Sequence, residues 1–100
     1  MGNNQYILDA NGNPKPEPDV RAWGEWVQKA DRRIALDKFD GVKVSTVFLG
    51  LDHNFGSGEP LVFETMVFGG PFDEECERYS TREQAIAGHA AMVAKVAPKP

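Results

Sequence analysis

Side chains able to do acid–base or metal chemistry gather in one stretch of this 100-residue chain, where Asp52, His53, Asn54, Phe55 and Glu59 surround the flexible positions Gly56, Ser57 and Gly58. An imidazole beside carboxylates can ligate a divalent cation or relay a proton, and long connections between strands often carry function. The stretch has no second histidine at helical spacing, which the common metal-binding motifs use. No metal is assigned to it; Asp52, His53, Asn54 and Phe55 are read instead as candidates for contacting a partner. Glu64 is the only acidic residue inside the central apolar runs. Buried alone, a carboxylate is costly, so Glu64 needs Arg33 or Arg78 beside it. Together with Asp52 and His53 it makes the alternative reading, a small metal- or acid–base-dependent enzyme. Cys76 lies between acidic neighbours, the opposite of the electropositive setting a nucleophilic thiol requires. Gly56-Ser57-Gly58 lacks the lysine and helix of a phosphate-binding loop. His89, a lone histidine at the edge of a helical apolar stripe, reads as structural. No catalytic residue and no cofactor is assigned.

Composition narrows the function classes. With 11 basic and 15 acidic side chains the chain carries a formal charge of -4, which disfavours a phosphate-binding surface and direct nucleic-acid recognition. An apolar fraction of 41% is enough for one core in a single domain of this size. One cysteine cannot form an internal disulfide. No apolar run is long enough to span a bilayer and no leader pattern opens the chain, so a cytoplasmic address is expected.

The elements that would position these groups follow from periodicity and breakers. Residues 1–18 hold Asn11-Gly12 and Pro14, Pro16 and Pro18; they read as a flexible or weakly ordered segment that the domain can lose, with only Tyr6, Ile7 and Leu8 to bury. From residue 19, Val20, Trp23, Val27 and Ala30 recur at helical spacing, interrupted by Gly24. Asp40-Gly41 between two apolar runs predicts a two-residue type I′ hairpin, with Leu36 facing Ser45 and Ile34 facing Val47. That register places Ile34, Leu36, Val47, Leu49 and Leu51 on the core face, continued by Leu61, Phe63 and Val67. The opposite face would then carry Val44, Phe48, Val62, Met66 and Phe68, too apolar for a solvated surface. Gly69-Gly70-Pro71 ends that strand, residues 76–80 suit a fourth, and Thr81-Arg82-Glu83-Gln84 is a capping box opening a helix with the stripe Ile86, Ala90, Val93 and Ala97, widened by Met92 and Val96. Residues 98–100 are a tail. The fold class is α+β: one two-layer domain over residues 19–97, with a four-stranded antiparallel meander flanked by an N-terminal and a C-terminal helix.

The strings VSTVFLGLDHNFG at residues 44–56, FETMVFGG at residues 63–70 and Tyr79-Ser80-Thr81 with Ala85, Gly88 and His89 resemble a group of small, uncharacterised bacteriophage and prophage proteins. The resemblance carries no activity and no catalytic or binding residue. It implies a context, the cytosol of a bacterial host, in which small phage proteins act by binding host machinery, defence systems such as CRISPR included. The expected function is non-catalytic binding of a host protein, with inhibition of a defence complex as one form of it and a homodimer as another form of association.

Two surfaces are candidates for that binding besides the loop. One is aromatic: Trp23 and Trp26 with Phe48, Met66 and Phe68, on a sheet face that one short helix cannot wholly cover. The other is the acidic turn Asp73, Glu74 and Glu75, suited to a basic partner surface.

Overall fold

The computed structural model describes residues 4–54 and 58–97. In chain order it contains β1 (Tyr6–Leu8), β2 (Pro14–Pro16), α1 (Val20–Lys29), β3 (Arg33–Phe39), β4 (Val42–Phe48), β5 (Phe63–Phe68), β6 (Cys76–Tyr79) and α2 (Arg82–Val96). Strands β3 to β6 form one antiparallel sheet in sequence order, and β1 pairs with β2 separately. This is the α+β meander with helices at both ends that the sequence implies. Among the described residues no helix is long and apolar enough to cross a membrane. Phe55 and the tail at 98–100 lie outside the described residues.

Residues 4–17 depart from the loose tether expected of them. β1 and β2 make a small hairpin whose prolines sit at the Tyr6↔Pro16 and Leu8↔Pro14 pairs. Tyr6 turns its N–H away from β2 to Gly50 O at 2.8 Å, so Pro16 lacks a donor only on the side where the pair needs none. The turn is closed by Asp9, whose Oδ1 accepts from the backbone N–H of Asn11 at 2.8 Å and of Asn13 at 3.0 Å, with Gly12 left-handed at φ 80°. Tyr6 and Leu8 pack against the cluster of Phe48, Val62, Phe63 and Ala85. Burying two apolar side chains outweighs the low strand propensity of the segment.

The β3–β4 turn also differs in detail. Phe39 pairs with Val42 and Leu36 with Ser45 as expected. Of the two turn residues only Gly41 is left-handed, at φ 76°, which excludes type I′ geometry, where both must be. A register shift between Arg33 and Ala35 then pairs Val47 with Arg33 instead of Ile34. This β-bulge lets Ile34 join the core while Val47 faces outward.

The face assignment is reversed for β4 and for Leu36, whereas on β5 Phe63 and Val67 take the core face and Met66 and Phe68 the opposite one, as expected. Val44, Thr46 and Phe48 stand opposite Val67, Thr65 and Phe63, and all six have no exposed surface. Val47 instead faces Glu64, and Ser45 faces Met66, on the other side. The reason is visible in Thr46: a polar residue lies at the centre of β4's core face, opposite Thr65, and hydropathy alone assigns that face to the surface.

Both helices serve that one face. α2 starts at the predicted capping box, with Gln84 N–H donating to Thr81 Oγ1 at 3.1 Å and Thr81 N–H to Gln84 Oε1 at 3.3 Å. Its buried stripe is Ala85, His89, Met92 and Val96; Met92 and Val96, expected at its margin, are central to it, and Ile86 is 52% exposed. The rotation seats Gly88 against the Tyr79 ring, where a Cβ would collide. α1 is capped by Asp19, whose Oδ1 accepts from Arg21 N–H at 2.9 Å. It sits across the end of the sheet, with Trp26 edge-on to Phe48 at 5.7 Å between ring centroids and Trp23 Nε1 donating to Gly50 O at 2.9 Å.

The two helical glycines therefore separate. Nothing lies within 4 Å of a Cβ built at Gly24, so Gly24→Ala gains helix propensity, about 0.5–1 kcal/mol of stability. Gly88→Ala meets the Tyr79 ring, and overpacking of about 1–3 kcal/mol outweighs the same propensity gain. Denaturant unfolding of the two variants should show opposite signs. For Asp9, the backbone N–H of Asn13 and then of Asn11 hold the carboxyl below the usual 3.8. A depressed folded value gives stability that is present above pH 3.8 and lost as pH falls below it. Asp9→Asn should remove this acid-labile contribution, read as a shallower loss of β1–β2 amide protection on acidification.

Candidate functional site

The core face holds one constellation with the connectivity of a nucleophile–base–acid triad. His89 Nε2 is 2.7 Å from Asp37 Oδ2, His89 Nδ1 is 2.7 Å from Thr46 Oγ1, and Thr46 Oγ1 is 2.5 Å from Thr65 Oγ1. With the proton on Nε2 donated to the Asp37 carboxylate, Nδ1 accepts from the Thr46 hydroxyl, which in turn accepts from Thr65. Every donor then has an acceptor. Its residues come from β3, β4, β5 and α2, and no sequence spacing links them; only His89 stood out beforehand. A reacting carbonyl has no route to it, because Thr46 and Thr65 are fully buried and His89 is 5% exposed. The chain of groups, buried from Thr65 to His89 and open to solvent at Asp37, fastens α2 to the sheet. Tyr79, on the same face beyond Thr65, has its phenol pushed up from the usual 10.0, chiefly by burial and also by the Glu77 charge, with Thr65 pulling the other way.

The loop candidates are largely occupied in shaping the loop. Asp52 Oδ1 accepts from Asn54 N–H at 2.7 Å and from Leu61 N–H at 2.9 Å. Asn54 Nδ2 donates to Glu59 O at 3.0 Å, and His53 N–H to Leu61 O at 2.9 Å. Among the described residues no group of three His, Cys, Asp or Glu is placed to hold a metal ion. Glu64 finds one of its two expected partners, Arg78, at 2.9 Å from Nε to Oε2, and its place is beside Val47 on the outward face.

The acidic turn is partly engaged too. Asp73 Oδ1 accepts from Gly69 N–H at 2.7 Å, and Glu75 pairs with Lys95 of α2 at 2.7 Å. Glu74 is left-handed, φ 71°, and exposed.

Of the aromatic candidates, Phe48 is a correction: with no exposed surface it is the centre of the core beneath Trp26, not a docking residue. Trp23 and Trp26 are half-buried and packed inward. Met66 and Phe68 remain, on the outward face. Phe68 is 43% exposed, with Lys43 Nζ 4.7 Å above its ring.

That outward face is ordered by register into three rows across the strands. Lys38, Lys43 and Phe68 form one; Leu36, Ser45, Met66 and Cys76 the next; Arg33, Val47, Glu64 and Arg78 the third. Every helical side chain in the two buried clusters lies on the other side of the sheet. At the Arg33–Val47 end the face runs into an open groove of about 540 Å³, bounded by Val27, Ala30, Asp31 and Arg32 beneath α1. Comparison with family models, with curated proteins and with solved structures found no match.

The buried chain yields a test of its role. Thr46→Val keeps shape but strands His89 Nδ1 and Thr65, and should cost about 1–3 kcal/mol. The double variant with Thr65→Val should cost less than the sum of the singles, because the two hydroxyls share one hydrogen bond. Additive losses in denaturant unfolding would show that the hydroxyls act independently.

Proposed function

We propose that the chain is a non-catalytic binding protein that docks another protein on the outward face of its sheet. The observation that supports this reading is a sheet face opposite both helices on which Leu36, Val47 and Met66 are half-buried and Phe68 is exposed. At about 25 cal/mol per Å² of apolar surface, covering a few hundred Å² more is a gross gain of several kcal/mol, part of which association entropy removes. Exposed apolar surface rimmed by polar groups is where proteins meet.

The resemblance to phage and prophage proteins supplies the setting of the proposal. In it the partner is a host protein in the bacterial cytosol, and a defence complex such as a CRISPR effector is one class of target, blocked by occupation of a surface. Asp52, His53 and Asn54 then support the sheet end and are not the contact surface.

Affinity capture from bacterial cells with paired variants tests the choice of surface. Met66→Asp should lose the captured protein while unfolding at a temperature near that of the parent, and His53→Ala should retain it. Retention by Met66→Asp with loss in His53→Ala would move the docking surface to the loop.

A further inference from the structure

Resting on the reading that the outward face docks a protein, we infer that its occupant is an acidic amphipathic helix lying across the strands. The register sets a neutral trough between two basic banks. Leu36, Ser45, Met66 and Cys76 form the trough, with Lys38 and Lys43 on one bank and Arg33 and Arg78 on the other. The only carboxylate among these rows, Glu64, is held by Arg78, and neither Arg33 nor Lys38 joins an ion pair among the described residues. A face with four cations against one carboxylate is notable in a chain whose net charge is -4. The acidic side chains concentrate elsewhere, at Asp73, Glu74, Glu75 and Glu77.

The dimensions suit a helix. Three strand spacings make the trough about 14 Å long, the rise of about ten helical residues. Each bank lies two residues along the strand from the trough, about 7 Å away. A helix of about 10 Å diameter laid in the trough presents its apolar stripe to Leu36 and Met66, and carboxylates on both flanks reach the banks. The protein already covers its other face with a helix, α2, whose side chains meet the sheet from Phe48 and Phe63 to Val44 and Val67. A nucleic acid fits less well, because Glu64 stands in the third row and the trough itself is uncharged.

The probe is a labelled peptide of leucine and glutamate, about fourteen residues long and held helical by one lactam that joins a glutamate carboxyl to the amine of a lysine four residues on, with leucines on one stripe. Fluorescence anisotropy should show saturable binding that weakens with salt and at least about tenfold in Lys38→Glu/Lys43→Glu. Met66→Asp should abolish it, with circular dichroism confirming that each variant is folded; Arg33→Glu, at an exposed position, serves if the double variant is not. A peptide of the same composition in scrambled order should not bind. The inference is overturned if the helical peptide does not bind the folded protein, if the scrambled peptide binds equally, or if a thymidine oligonucleotide binds more tightly. It is also overturned if the parent sediments as a dimer that Met66→Asp dissociates, which makes a second copy the occupant. If a captured host protein is lost with Met66→Asp but kept by Lys38→Glu/Lys43→Glu, the acidic helix fails while the protein-binding reading stands.

Discussion

His89 fastens α2 to the sheet through both ring nitrogens, to Asp37 on β3 and Thr46 on β4, and Thr46 passes the link to Thr65 on β5. Three neighbouring strands and a helix are thereby tied at one point inside a core that is otherwise apolar. Buried polar groups are tolerated only when all are satisfied, and a half-satisfied network is worse than none. That condition fixes which way α2 is rotated and which side of β4 and β5 faces inward. Ala85, Met92 and Val96 follow His89 into the core, Ile86 turns out, and Gly88 is left to receive Tyr79.

The consequence for the other side of the sheet is direct. Once Val44, Thr46 and Phe48 are committed to the core, their neighbours Lys43, Ser45 and Val47 must point away from it. α1 adds Trp26 to the same core and ends at the sheet's edge. The outward face is left with apolar residues in its middle and cations at its margins, and no element among the described residues is assigned to cover it in either buried cluster. The core and the proposed docking surface thus lie on opposite faces of the same strands, so Met66→Asp changes that surface at a position outside both buried clusters.

What could be read from the sequence was local or pairwise. Thr81 and Gln84 announce a helix start because a capping box is a fixed spacing. Glu64 demands a cation, and Arg78 is directly opposite it. The order of strands and helices follows from breakers such as Gly41, Gly69 and Gly70. The errors were of facing and of distance. A one-residue bulge at Ile34 changes the partner of Val47 from Ile34 to Arg33 and leaves the pairings from Ala35 to Phe39 in register, and nothing in the residues around it signals the bulge. Thr46, Thr65 and His89 look like surface or edge residues until the fold brings them together. Phe48 reads as a docking aromatic because hydropathy does not say which neighbour covers it. Tyr6, Ile7 and Leu8 are the apolar residues of the first segment and form its strand, and the prolines at outward-turned positions opposite them cost the hairpin little.

Methionine-methyl NMR tests most directly whether the outward face is the working surface, since Met66 lies on it and Met92 is in the core. In the free protein a soluble paramagnetic agent should broaden the Met66 methyl and leave Met92 sharp; with the partner bound, Met66 should become protected and Met92 stay unchanged. A Met66 methyl already protected in the free monomer, or one left exposed in the complex, would contradict docking on this face.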